Sequence, residues 1–335
     1  MHGIIFREDG LISVRNKLYT NKHKIPMEVV AAILKDRYTT LGEESSDYSA
    51  STLVQPIQKT VLERRNKWDG KSKKSHKLKI ADVMDDFYSF MGSVAHQVLE
   101  DAWHENMGGI VEKRLYMDVA GGEVLSGKMD RYVDGLIKDF KNTKVYKIMK
   151  GDYTDWSTQQ NVYAHLCRKN GWPVEQIQII ALLGDWKLGE MFKQNYPDCA
   201  IQVIPIRVWS EEEADEWIDN RVRNIQAATE LTDDELAVKY PCSNEERWKN
   251  YKGTAIMKKG GKKASFLAKP DQGTQAENLK RCKEYWHLKG LALDEYEIQV
   301  RWSEPKRCLN WCGASTICKQ WLAEKPVEEE TETSF

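Results

Sequence analysis

Asp130, Asp139 and Lys141 are the residues of this chain whose types and spacing best suit chemistry. Asp130 closes the string Ser126-Gly127-Lys128-Met129-Asp130, and Asp139-Phe140-Lys141 follows after the dipeptide Asp134-Gly135. Side chains two apart on a strand share a face, so Asp139 and Lys141 project together. A hairpin turn at Asp134-Gly135 brings Asp130 beside them. Two carboxylates and an ammonium converging from adjacent strands make a site for a hard cation, magnesium or manganese. Such a cation polarises a phosphodiester and generates a hydroxide nucleophile, while the lysine orients the water or offsets developing charge. A lone Asp-x-Lys is ordinarily a surface salt bridge, so the surroundings matter. His96 and Glu100 stand four apart on a helical segment ahead of the hairpin and share one of its faces.

A second set of candidate ligands lies near the C-terminus, where Cys308, Cys312 and Cys318 are grouped. The chain has seven cysteines, an odd number, which suits free thiols or metal ligands better than a disulfide framework. A four-thiolate site needs one more sulfur. Cys242, in a Pro-Cys turn, is the first choice and Cys282 the second. Cys167 and Cys199 read as ordinary buried or inert thiols.

These groups need elements to hold them. Phe87, Met91, Val94, Ala95, Val98 and Ala102 recur at helical spacing, which predicts a helix over 82–105. Strands are expected at Ile110–Val119, Glu123–Val133 and 136–141, with turns at Gly121-Gly122 and Asp134-Gly135. A helix over 156–169, strands at 177–183 and 200–208, and a helix over 211–231 follow. A helix followed by antiparallel strands, a helix and further strands implies an α/β fold, a mixed central sheet flanked by helices.

Hydrophobic residues make up 41% of 335, enough for a substantial core, while 50 basic against 51 acidic residues give a net charge of −1. The balance says nothing of partners, but local clusters do. Residues 59–79 carry nine Lys and Arg against Glu63 and Asp69, and 249–269 carry seven lysines around Gly260-Gly261, a basic hairpin. Both suit phosphate contact, with Arg64, Arg65, Lys67, Lys258 and Lys259 the candidate DNA-binding residues. No stretch approaches a membrane span and the N-terminus lacks the layout of a secretory signal, so a cytoplasmic setting is expected, in the host if the chain is phage-encoded. No Gly-x-x-x-x-Gly-Lys-[Ser/Thr] loop occurs in the chain, so no helicase motor is expected in it.

Four strings between Gly92 and Tyr163 resemble, in order, the motifs of the RecB-like branch of the PD-(D/E)XK nuclease superfamily. Gly92-x-x-x-His96-x-x-x-Glu100 resembles its Gly-x-x-x-His-x-x-x-Glu, Gly127-x-x-Asp130 its Gly-x-x-Asp, Asp139-Phe140-Lys141 its Asp-x-Lys, and Gln159-x-x-x-Tyr163 its Gln-x-x-x-Tyr. Glu112 matches a recurrent strand glutamate. The resemblance implies a PD-(D/E)XK core and a metal held by His96, Asp130, Asp139 and the Phe140 carbonyl. It also implies catalysis by Lys141, with Gln159 and Tyr163 placing the DNA; simple packing of Tyr163 in the core is the lesser alternative. The cysteine triplet is similar to the one that completes a [4Fe–4S] cluster in several such nucleases, and zinc is the alternative for four thiolates. The implied function is a DNA exonuclease like those of phage and recombination systems, with recombination or replication proteins as partners. An endonuclease, an RNA-directed nuclease and a DNA-binding scaffold of degenerate nuclease fold are the alternatives. The expected division is an N-terminal helical and basic segment at 1–80, the nuclease core at 81–235, a basic hairpin and cysteine-cluster region at 236–325, and an acidic disordered tail at 326–335.

Overall fold

The computed structural model describes residues 4–14, 17–35, 46–66, 77–106 and 108–324, without the side chains of 104–106. The expected tail and the basic residues from Lys67 to residue 76 lie outside them. The chain opens with β1 (Ile5–Phe6), β2 (Ile12–Val14) and β3 (Lys17–Thr20), an antiparallel meander, followed by α1 (Met27–Leu34). Next come β4 (Tyr48–Ser49), α2 (Ala50–Leu53), α3 (Ile57–Arg65) and β5 (Ala81–Asp82), which joins β3 in parallel. A 3₁₀ turn at Val83–Asp86 leads into the long α4 (Phe87–Asn106), so the expected helix over 82–105 is present with a tighter first turn.

β6 (Ile110–Val119), β7 (Glu123–Val133) and β8 (Leu136–Thr143) follow as antiparallel neighbours, close to the expected strands. Asp134 and Gly135 have φ of 45° and 80°, the two positive values of a tight hairpin turn matched to strand twist. A short α5 (Val145–Lys150), not anticipated from the sequence, precedes α6 (Thr154–Lys169), β9 (Gln176–Leu183), β10 (Ile201–Ile206) and α7 (Glu211–Thr229). β8 pairs β9 in parallel across this helical crossover, so the sheet is mixed, in the order β10-β9-β8-β7-β4 with β6 also on β7. Helices flank it, and the fold is a mixed α/β architecture.

The main core lies where α3, α6 and α7 cover this sheet. On α7 the buried residues Ala214, Ile218, Val222, Ile225 and Ala228 recur at three- and four-residue spacing, and Ser210 with Glu213 closes a capping box at its start. Residues 48–65, on the N-terminal side of the expected boundary at 80, supply β4 to the central sheet and Leu53, Val61 and Leu62 to this core. Beyond α8 (Asp233–Lys239) the basic hairpin is formed by β11 (Tyr251–Lys258) and β12 (Ala264–Ala268). It continues into α9 (Gln275–Lys289) and β13 (Tyr296–Trp302), giving a three-stranded sheet in the order β12-β11-β13 with its own small core of Ile256, Ala268 and Cys282. The cysteine segment ends in α10 (Lys319–Glu324), and Ala314, Cys318 and Trp321 return to the main core. Among the described residues no helix is long and apolar enough to cross a membrane.

Candidate functional site

The hairpin pairing of β7 with β8 runs from Val133–Leu136 to Arg131–Lys138 and stops one residue short of Asp130 and Asp139. There the Asp130 carboxylate takes the place of a ladder partner, accepting the Phe140 N–H at 2.7 Å. The Phe140 carbonyl is 2.9 Å from His96 Nε2, on α4. The Phe140 ring meets Trp103, two turns further along α4, at 4.6 Å between centroids, which fixes the helix against β8. His96 Nδ1 faces two carboxylates, Asp130 at 3.7 Å and Glu112 of β6 at 3.8 Å.

Side-chain ligand atoms of His96, Glu112 and Asp130 lie within 4.8 Å of one another, and this is the cluster of metal-ligand type found among the described residues. Glu112 enters it from the position opposite Asp130, and its second oxygen is held by Lys128 Nζ at 2.5 Å. Asp139 stands beside this triad, 2% exposed, with its Oδ2 2.9 Å from Lys141 Nζ. Lys141 also donates to Gln159 Oε1 at 3.1 Å, and Gln159 Nε2 donates to the Tyr163 hydroxyl at 3.2 Å. A continuous chain thus runs from Asp139 through Lys141 and Gln159 to Tyr163. Glu100, one turn beyond His96, is outside the triad.

The charges are strongly interdependent. Burial, reinforced by Asp139, pushes Asp130 up to about 7. The Glu112 carboxylate facing its Nδ1 raises His96 to about 8 against the opposing effect of burial. Burial pulls the Lys141 ammonium down, but Asp139 and Asp130 more than offset it, so it stays charged. Burial drives the Tyr163 hydroxyl well above its ordinary value and keeps it neutral. The raised values of Asp130 and His96 favour protons at these two groups, and a divalent cation entering there would release them. Carboxylates, an imidazole and a backbone carbonyl form a donor set suited to magnesium or manganese.

Gly127 explains how α6 comes so close. A Cβ there would lie 2.6 Å from Leu166 and 2.7 Å from Tyr163, so only glycine lets the Gln159-Tyr163 helix rest on β7.

Outside this site, Cys242, Cys308, Cys312 and Cys318 line one small cavity with Gln58, Arg247 and Trp321. Cys242 follows α8, Cys308 lies in the turn of π-helix at Arg307–Trp311, and Cys318 precedes α10. The Gln320 side chain clamps Cys242, accepting its N–H at 2.8 Å and donating to its carbonyl at 3.0 Å. Gln58, on α3, accepts from the Cys318 thiol at 3.3 Å. Burial pushes the Cys242 thiol up to about 12 and raises Cys312 and Cys318 too, so as free thiols they hold their protons. Cys282, the second choice, is buried beneath β11 in the separate core and donates to the Thr254 carbonyl. Cys167 is buried and Cys199 is exposed.

Two expected DNA contacts are engaged within the chain. Arg65 closes the end of α7 by donating to the carbonyls of Ala228, Thr229 and Leu231 and pairing with Asp233. Arg64 donates to the Asp47 carbonyl and lies over the Tyr48 ring at 4.2 Å. Lys258 and Lys259 sit at the exposed tip of the β11–β12 hairpin, where Lys258 pairs with Glu295 and Lys259 donates to the Leu293 carbonyl.

No protein-family model matches the chain, and no curated protein matches it either. Among solved structures it is similar to SSO0001, at 13% identity over 59% of this chain and 86% of that one, with a TM-score of 0.41. An alkaline exonuclease, LHK-Exo, from Laribacter hongkongensis aligns at 11% identity over 57% of this chain and 93% of its own, with a TM-score of 0.34. A phage-related exonuclease from Haemophilus somnus 129PT aligns at 15% over 54% and 92%, with a TM-score of 0.29.

Proposed function

We propose that this protein is a metal-dependent nuclease that hydrolyses DNA phosphodiesters, an exonuclease of the RecB-like PD-(D/E)XK kind. The observation that carries the proposal is the convergence of His96, Glu112, Asp130 and the Phe140 carbonyl where β7 and β8 part, with Asp139 and Lys141 alongside. Magnesium or manganese held there supplies positive charge beside the scissile phosphate and an acidified water. Lys141, kept charged by Asp139 and aimed by Gln159, places its ammonium where negative charge grows on the phosphate oxygens. Tyr163, neutral and bonded to Gln159, holds that amide in register. Lys258 and Lys259 extend a basic surface along the route of the nucleic acid.

The test is direct. Purified protein is incubated with end-labelled single- and double-stranded DNA in magnesium or manganese, with and without chelator. Metal-dependent release of mononucleotides supports the reading, while tight DNA binding with intact product in every metal would leave a scaffold in its place.

The second metal site belongs to the same proposal. Four thiols on one cavity match the ligand set of an iron–sulfur cluster. A tetrahedral zinc site, with bonds of about 2.3 Å, needs sulfurs about 3.8 Å apart. Zinc and the larger [4Fe–4S] cluster both accept four thiolates, and it is the likeness of the cysteine triplet to that of cluster-bearing nucleases that favours iron–sulfur here. Its role would be structural, tying the C-terminal segment to α3 and the core. Protein purified without oxygen should be brown, whereas colourless protein with one zinc per chain would name the other metal.

A further inference from the structure

Arg247 is 4% exposed, an uncommon depth for a guanidinium. Its two terminal nitrogens donate to Glu324 of α10 at 2.7 and 2.6 Å. The third nitrogen, Nε, is buried and has no partner within hydrogen-bonding geometry. Arg247 lines the thiol cavity together with Cys308, and that sulfur is the group it interacts with after Glu324. A buried N–H left unsatisfied costs about 1–3 kcal/mol, so its presence on a residue that lines the thiol cavity calls for a reason.

The charge of a loaded site provides one. Four thiolates with either a zinc ion or an oxidised [4Fe–4S] core leave a net charge of about −2 in a buried place, which needs a counter-charge. We propose that Arg247 is the positioning residue of the metal centre at the four cysteines, with its Nε–H reserved for the Cys308 thiolate and its charge set against that of the centre. Glu324 then fixes the opposite edge of the guanidinium, so loading the centre also fastens α10. The inference rests on the thiol-site reading above, and holds for iron–sulfur and zinc alike.

Wild type, Arg247→Gln, Arg247→Lys and Glu324→Gln are purified without oxygen and loaded with iron and sulfide, or with zinc. Metal per chain, the rate of release to a chelator, and the melting temperatures of loaded and stripped protein are measured. Arg247→Gln should still fill but release metal at least tenfold faster, with its melting temperature lowered more in the loaded than in the stripped form. Arg247→Lys, which keeps the charge without the Nε donor, should fall between, and it serves as the decisive variant if the glutamine form does not fold. Glu324→Gln, which retains the guanidinium, should release metal near the wild-type rate. Wild-type release from both Arg247 variants, or equal loss of stability with and without metal, would overturn the proposal. Wild type that takes up neither metal would instead remove the thiol-site reading itself.

Discussion

Glu112 holds a φ of 53° in the middle of a strand, a conformation that non-glycine residues adopt at a cost of order 1–3 kcal/mol. The geometry it gains is specific: one carboxylate oxygen turned to His96 and the other held by Lys128. Glu112→Gln keeps the volume and removes the charge, so the magnesium or manganese titration of activity should move at least about tenfold higher. An unchanged titration would make Glu112 a structural residue. Lys141→Ala tests another role. Its ammonium is held by an aspartate and a glutamine for charge that grows during reaction, so kcat should fall about 10²–10³-fold while DNA and metal affinity persist. A rise in KM with kcat intact would make it a substrate-binding residue. Asp130, Asp139 and Lys141 were legible because an Asp-Gly turn fixes their register, whereas Glu112 was recognised only as a matching glutamate. The reason is a single residue of register. A two-residue turn at Gly121-Gly122 would pair Ala120 with Glu123 and set Glu112 opposite Arg131, but the observed pairing is Val119 with Glu123, which puts it opposite Asp130.

Two glycines of the motif strings play unequal parts at the level of elements. A Cβ on Gly92 of α4 would meet nothing within 4 Å, while on Gly127 it would strike the helix that carries Gln159 and Tyr163. Gly127→Ala should therefore cost about 1–3 kcal/mol of stability and reduce kcat by pushing α6 off β7. Gly92→Ala, inside a helix with open space around it, should leave kcat unchanged and add about 0.5–1 kcal/mol of stability, and equal effects of the two would refute the packing account. The other support of the site is the start of α4. Asp82 accepts from Thr20 at 2.8 Å, from the Lys22 N–H at 2.9 Å and from the Met84 N–H at 3.1 Å, fastening the helix that bears His96 to the N-terminal sheet. Burial raises its pKa, but these hydrogen bonds, led by Lys22, bring it below the 3.8 of an ordinary aspartate. A depressed folded value means that the stabilisation is complete above 3.8 and lost as pH falls through the lower folded value. Asp82→Ala should lose about 1–2 kcal/mol at neutral pH, and its stability should fall less steeply than wild type below about pH 4. Parallel acid profiles would show that the carboxylate does not carry the effect. The partners Thr20 and Lys22 were not readable beforehand, because they lie some sixty residues from Asp82 and local periodicity does not weigh such pairings.

Across the whole molecule, two candidate sites of different chemistry share one scaffold. α3 provides Leu62 to the core beneath the sheet and Gln58 to the thiol cavity, so the C-terminal cysteines are secured to the layer that supports the hairpin. The sequence divided the chain at 80, yet 48–65 fold into the central layer, since buried positions on short helices such as α2 and α3 have no distinctive pattern until the sheet they cover is present. The choice of Cys242 over Cys282 was open to inspection through its Pro-Cys turn, and the structure brings Cys242 to the other three thiols and leaves Cys282 in another core. The central claim is that the parted strands of the β7–β8 hairpin hold a cation that cuts DNA. It is tested most directly by comparing wild type with Asp139→Asn on end-labelled DNA across a magnesium and manganese series, with circular dichroism to confirm that both are folded. The account predicts metal-dependent cleavage by wild type and loss of about 10³-fold or more in the variant. Cleavage by folded Asp139→Asn at the wild-type rate, or by wild type in excess chelator, would contradict it.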